Sequence, residues 1–324
     1  MSNQKTIAVF SHNKPFFGAT LVQFPLYQHL RKNYPDHIIK VYSPVQEADL
    51  FIKYGLADEL EVYQKSAFRN YWAIPRSIKK LRPEIIINCR EFSEQINIIV
   101  GLSKAPQKIG FKPNSITRAF YNRTIQYSIS TYRGSNFLNL VYLLDLKKKF
   151  EFDEIKTLGN ASSLQFDNHR KNICLIPGGG EGEHKRWGIQ NFLDLCQRYL
   201  AREKNACFNF ILGFKEEEYI EEIKKSLPAA NINILFKIQI GDMVKSILQS
   251  HVTVANDCGP SHLAQMCKVN YISIWGWEKQ QPYERIGEWF LPHSKAAYVV
   301  AEKDQSIKTV AAERVLPILT EMAG

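Results

Sequence analysis

The chain has 324 residues, 45% of them hydrophobic, and 42 Lys and Arg against 32 Asp and Glu, a formal net charge of +10. That length exceeds what a single core usually fills, so two domains are expected. With no basic-then-apolar leader and no unbroken apolar run of about 18 residues, neither a signal peptide nor a transmembrane helix is expected, and the cytoplasm is the expected location. Six cysteines, Cys89, Cys174, Cys196, Cys207, Cys258 and Cys267, lie apart with no CxxC pair, which argues against a zinc site or a disulfide framework.

Residues 6–11 read as a buried strand, and the apolar periodicity over 21–30 reads as a helix closed before Pro35. Between them His12 to Gly18 form a loop at the strand's carboxyl end. Strands are expected at 38–42, 60–63 and 85–87, and helices at 45–54, 68–81, 93–102 and 136–149. Between Glu94 and Asp145 the chain has no carboxylate, while Lys104, Lys108, Lys112, Arg118, Arg123 and Arg133 fall among Phe111, Phe120, Tyr121, Tyr127 and Tyr132. Cations interleaved with aromatics suit an anionic, partly apolar partner.

Residues 150–171 follow neither periodicity and are the expected interdomain linker, giving a first domain over 1–160 and a second over 161–324. Alternation restarts with strands at 173–176, 208–212, 232–236, 252–254 and 271–275. Helices are expected at 189–200, 216–227 and 242–248, from Pro260 onward, and at 306–320 to close the chain. Short apolar strands alternating with amphipathic helices indicate an α/β protein with doubly wound parallel sheets. Two such domains facing each other across a cleft are the expected architecture.

The turn Asn256-Asp257-Cys258-Gly259-Pro260-Ser261-His262 holds most of the chemistry. Proline is favoured in a helix's first turn, so Pro260 and Ser261 are read as a helix start whose free N–H groups and dipole suit a pyrophosphate, with Asp257 beside it at a strand's carboxyl end. A capping Asp in an ordinary strand-to-helix turn is the plainer alternative. The run from Pro177 to Gly188, PGGGEGEHKRWG, lets backbone approach a ligand at Gly178 and supplies Lys185 and Arg186 for phosphate oxygens. It lacks the Walker A spacing. After the strand at 208–212, Glu216 or Glu217 can accept hydrogen bonds from a ribose, or can merely match a helix dipole. Cys258 with His262 as an activating base is a weaker suggestion.

The motifs Pro177-Gly178 with Lys185-Arg186-Trp187, Asn256 to Ala264 (NDCGPSHLA) and Ile274-Trp275-Gly276 resemble those of glycosyltransferase family 9, the ADP-heptose:lipopolysaccharide heptosyltransferases and their relatives. So do Gly18 to Pro25 (GATLVQFP), Lys108-Ile109-Gly110-Phe111 and Ala57-Asp58-Glu59. The resemblance implies the GT-B fold of two Rossmann-like domains. It implies an inverting transfer of a sugar, by the family's example a heptose, from a nucleotide diphosphate donor. The acceptor would be a lipopolysaccharide core or related anionic glycan at the cytoplasmic face of the inner membrane. Lys185 would contact the diphosphate, Glu217 or its neighbour Glu216 the ribose, and Asp257, Gly259 and His262 would shape the donor pocket, which the local reading extends to Gly178, Pro260 and Ser261. The acceptor side falls to Gly18 and to Lys108, Lys112, Arg118 and Arg123. Cations and a helix dipole can stabilise the leaving diphosphate, so no metal or other cofactor is expected. The family's loop carries Gly-Asp where this chain has Gly18-Ala19, and the Asp is its presumed general base. His12, Glu91 and Glu94 are the candidate substitutes, His12 for its ordinary pKa. Ala19 also leaves open a silent sugar-nucleotide or glycan binder. A nucleotide-sugar epimerase of GT-B shape is a third reading, and a nucleic-acid binder is disfavoured because the basic run lies in one domain.

Overall fold

Apolar runs too short for helices become central parallel strands, because a strand covered on both faces needs no polar alternation. The structure, a computed structural model, describes residues 5–12, 14–65, 67–144, 151–180, 182–277 and 282–324. It divides after Glu151 into two units. The first holds strands β1 (Thr6–Phe10), β2 (Ile38–Ser43), β3 (Glu59–Val62), β4 (Ile85–Asn88), β5 (Gln107–Phe111) and β6 (Arg123–Ile125). Its helices are α1 (Phe17–Leu21), α2 (Phe24–Asn33), α3 (Asp49–Lys53), α4 (Asn70–Leu81), α5 (Glu94–Leu102) and α6 (Arg133–Tyr142). All pairings are parallel, in the order β3-β2-β1-β4-β5-β6.

The second unit repeats this plan with β7 (Lys171–Ile176), β8 (Ala206–Leu212), β9 (Ile232–Phe236), β10 (Val252–Asn256), β11 (Tyr271–Trp275) and β12 (Ala296–Val300). Its helices are α7 (Ile189–Arg202), α8 (Tyr219–Ser226), α9 (Ile240–Leu248), α10 (Ser261–Met266), α11 (Pro282–Trp289) and α12 (Ala312–Ala323). Its order is β12-β11-β10-β7-β8-β9, the same permutation read from the other edge. In each sheet the chain winds outward, then returns to the centre and winds the other way. The reversal opens a crevice at the strands' carboxyl ends, between β1 and β4 in one unit and between β7 and β10 in the other. Fully buried Phe192, Phe208 and Phe210 centre the second core. Each such ring contributes about 1.5–3 kcal/mol of burial.

Several elements differ from the sequence expectations. The helix expected over 21–30 is two helices, because Pro25, in the first turn of α2, has no N–H to carry α1 onward. The basic segment is not without strands: it contains β5 and β6, whose Lys108 and Arg123 obscure the apolar pattern. Residues 152–161, expected to be linker and first domain, form a 3-10 helix of the second unit with Phe152 and Ile155 buried. The closing helix begins at Ala312 rather than residue 306, after a separate 3-10 turn over Ile307–Thr309. α11 and β12 were not expected at all. The helix expected over 136–149 starts at Arg133 and ends at Tyr142, and its last residues, 145–149, lie outside the described ones.

Candidate functional site

In the second unit, Asn256 closes β10 inside the crevice, and its side chain replaces sheet hydrogen bonds. Its Nδ2 donates to the Pro177 carbonyl at 2.7 Å and its Oδ1 accepts from the Trp187 N–H at 3.3 Å. Both ends of the glycine loop are thus held to β10, and the buried Trp187 indole anchors the far end by donating to the Val310 carbonyl at 2.6 Å. Next along the chain, Asp257 is 7% exposed and its Oδ2 meets Lys185 Nζ at 3.0 Å and Arg285 Nη2 at 2.5 Å. Burial works to raise the pKa of this carboxyl, but Lys185 and Arg285 outweigh it and hold it below the ordinary carboxylate range. Two cations share one carboxylate. The surplus positive charge at a strand's carboxyl end is what a diphosphate needs.

The helix start expected at Pro260 and Ser261 is present but short. α10 has only six residues and Pro260 stands at its cap. The His262 and Leu263 amides donate to the Gly259 and Pro260 carbonyls at 3.1 and 3.0 Å, and the Ser261 hydroxyl donates to the Cys258 carbonyl at 2.7 Å. Those three donors are engaged inside the turn, and the positive side chains beside it are Lys185 and Arg285. His262 is buried, and that burial pushes its pKa down to about 4 against the pull of Asp257, leaving a neutral imidazole 3.3 Å from the Gln265 amide. Burial also pushes the Cys258 thiol up to about 12. A thiol that burial keeps protonated lacks the thiolate character of a cysteine nucleophile, which counts against that suggestion.

The expected Lys-Arg phosphate pair is divided. Lys185 turns to Asp257, whereas Arg186 is buried and reaches Glu216 Oε1 at 3.0 Å and the Tyr219 hydroxyl at 3.2 Å. Glu216 Oε2 also accepts from the Gly213 N–H at 3.1 Å. A Cβ at Gly179 would collide with the Arg186 side chain, so that position requires glycine. Glu216 lies beside the glycine loop, 3.4 Å from where a Cβ on Gly178 would sit. Glu217 is exposed and faces Lys237 at 3.4 Å. Of the two candidates, Glu216 is the one shown beside the glycine loop. Glu181 of the same loop lies outside the described residues.

In the first unit the crevice between β1 and β4 holds His12, Glu91 and Arg133. The buried guanidinium, at the first residue of α6, bonds Glu91 Oε1 and lies against His12 Nε2. His12 Nε2 lies 3.3 Å from Glu91 Oε1, and His12 Nδ1 accepts from the Lys14 N–H at 3.2 Å. Burial pushes His12 down to about 4, outweighing the raising effect of Glu91. Burial acts to raise Glu91, but His12 and Arg133 take it down to about 2. His12 therefore does not fit the role of an open base, because it is 2% exposed and both ring nitrogens are engaged. Glu94 stands apart on the surface, accepting from the Ser115 and Thr117 hydroxyls at 3.0 and 2.9 Å. Ala19 is buried within α1, and Gln23 binds its carbonyl at 3.0 Å while accepting from the Ser11 hydroxyl and the His12 N–H. Gly18 is half-buried just before it, and Asn13 lies outside the described residues.

The basic candidates do not share one edge. Lys112 follows the carboxyl end of β5, whereas Lys108 pairs with Ile86 and Arg123 opens β6 opposite Ile109, both back from that edge. Arg123 Nη1 donates to the Leu143 carbonyl at 2.7 Å, and Arg118 is exposed on a 3-10 turn. Sequence reading missed Arg285 and the role of Arg133, which reach their partners across 28 and 42 residues. No motif marks such pairs. Among the described residues there is no His, Cys, Asp and Glu cluster that could hold a metal, and no helix long and apolar enough to cross a membrane.

Comparison with known proteins bears on this site. Residues 77–317 match the model of glycosyltransferase family 9 (heptosyltransferase). The chain is 23% identical over 272 residues, 83% of this chain and 80% of the relative, to lipooligosaccharide heptosyltransferase 2 of Campylobacter jejuni. It superimposes on E. coli ADP-heptose lipopolysaccharide heptosyltransferase II with a TM-score of 0.66 at 18% identity, covering 98% of both chains. Against E. coli heptosyltransferase WaaC with ADP the TM-score is 0.69 at 14% identity, covering 98% of this chain and 99% of that one. These likenesses show the fold, GT-B.

Proposed function

Because this chain belongs to glycosyltransferase family 9, we propose that it transfers a heptose, with inversion, from a nucleotide diphosphate donor to a lipopolysaccharide core or closely related anionic glycan. The observation that carries this reading is the buried Asp257 with Lys185 and Arg285 on one oxygen, beside the Gly178 loop at the sheet's reversal. The ADP-heptose named for similar structures supplies the donor class. Lys185 and Arg285 face the diphosphate, Glu216 the ribose, and neutral His262 can exchange hydrogen bonds with the sugar. The acceptor oxygen attacks the anomeric carbon, the bond to the diphosphate breaks, and the electron pair leaves on a phosphate oxygen whose charge the two cations meet. This requires no divalent cation.

The acceptor's proton goes to Glu91, which, with its pKa held at about 2, can take it only late, as the bond to the diphosphate breaks. It follows β4 at the reversal, its side chain is 12% exposed against 1% for His12, and Arg133 and His12 act on it as positioning residues. The enzyme works peripherally at the cytoplasmic face of the inner membrane, where a lipid-linked acceptor is met. Purified protein with ADP-heptose and a heptose-deficient lipopolysaccharide acceptor, with EDTA present, tests the reading. A glycosylated acceptor is expected. Altered donor alone would indicate an epimerase, and nucleotide binding with neither product would indicate a silent binder.

A further inference from the structure

The carboxyl edge of the first unit's sheet carries large apolar side chains that the transfer chemistry does not use. Phe68, Trp72, Phe92, Ile116 and Ile129 are 75%, 63%, 78%, 89% and 61% exposed. They follow β3, β4, β5 and β6, and in a parallel sheet all these connections leave from one edge. Side-chain bonds fasten the connections to one another. Gln95 Nε2 donates to the Ala67 carbonyl at 3.1 Å and Gln95 Oε1 accepts from Asn70 Nδ2 at 3.3 Å. Glu94 holds Ser115 and Thr117, and the Phe92 ring lies edge-on to Tyr127 at 6.3 Å. Apolar tips are thus held outward on a tied floor, and an exposed apolar patch on an ordered base marks an interaction surface.

Charge identifies the partner. Lys65, Arg69, Arg76, Lys112 and Arg118 stand exposed on the connections that follow β3 and β5, with Trp72 and Arg76 one helical turn apart on α4. Residues 1–151 contain 22 Lys and Arg against 11 Asp and Glu, while residues 152–324 contain 20 against 21. Aromatic rings seat at the headgroup level of a bilayer while adjoining cations meet anionic phosphates. We propose that this rim docks the first unit onto an anionic lipid bilayer. The inference deepens the proposed function by supplying its membrane contact, and it rests on that reading only for its setting, because lipid binding needs no turnover.

Co-sedimentation with phosphatidylcholine vesicles, with and without phosphatidylglycerol, tests it. The protein should sediment with the anionic vesicles and be released by salt. Phe68→Ser, Trp72→Ser and Phe92→Ser combined should lower partitioning at least about tenfold, as should Arg69→Gln with Arg76→Gln, each with nucleoside diphosphate affinity retained. Bromine-labelled lipid should quench the parent's fluorescence, and Trp72→Phe should remove that quenching, a readout that does not depend on the combined variant folding. Failure to bind anionic vesicles, equal partitioning of the combined variant in its folded form, or binding only when lipopolysaccharide is present would overturn the proposal. The last outcome would assign the rim to the acceptor itself.

Discussion

The two units share a sheet order and place a charged cluster at the same reversal, yet the stoichiometry of the clusters is opposite. Between β1 and β4 one guanidinium, Arg133, serves one carboxylate beside a neutral imidazole, so the cluster is balanced. Between β7 and β10 one carboxylate, Asp257, serves two cations, so positive charge is left over. The overall balances run the other way, with 22 basic and 11 acidic residues in the first unit and 20 and 21 in the second. Positive charge in the first unit is spread over its surface and suits an extended anionic partner. In the second it is concentrated against an evenly charged background and suits a small one. An open α/β sheet provides the crevice, and side-chain bookkeeping at its mouth decides the ligand.

Removing Glu91 should separate the clusters most sharply. Glu91→Gln takes away the base and leaves Arg133, 2% exposed, without its carboxylate. Turnover should fall about 10²–10⁴-fold and urea stability by about 3–5 kcal/mol. Calorimetry should show nucleoside diphosphate affinity intact. A matching loss of that affinity would mean the two clusters do not act separately.

The converse change is smaller. Lys185→Ala or Arg285→Ala should weaken nucleoside diphosphate binding by about 1.5–3 kcal/mol, the scale of a hydrogen bond to a charged group. Lys185 is 28% and Arg285 14% exposed in their side chains, so either survivor can still reach water when its neighbour is removed. Stability should therefore change less than in Glu91→Gln. Unchanged affinity in both variants would place the donor elsewhere.

A third effect concerns acid, where the units should behave alike. His12 and His262 each have a folded pKa of about 4, below the ordinary 6.5, because burial disfavours the imidazolium. As pH falls below about 6.5 the unfolded chain takes up protons that the folded chain refuses, so stability drops until about pH 4, by at most roughly 1.4 kcal/mol per pH unit for each histidine. Glu91 adds nothing in that window, since its stabilising contribution is lost only as pH falls from about 4.5 toward 2. Denaturation midpoints across pH 4–7 for the parent, His12→Gln and His262→Gln would measure it. A parent whose stability is flat over this range would refute the buried-neutral assignment in both units.

Local chemistry along the chain determined the alternating parallel architecture, because buried strands such as Ile85–Asn88 and Val252–Asn256 are legible wherever both faces are apolar. It also determined that the glycine loop and the Asn256-Asp257 turn stand at strand ends. The far side of the first sheet was less legible: β6 is its edge strand and β5 the strand beside it, and the partly exposed Lys108 and exposed Arg123 leave no apolar run to mark them. Only the tertiary structure decided which charges meet. Arg133 reaches Glu91 and Arg285 reaches Asp257 because α6 and α11 pack where they do, and Arg186 turns inward to Glu216 while its neighbour Lys185 turns to Asp257. Periodicity records burial and local geometry, whereas ion pairing depends on distances between segments that only packing brings together.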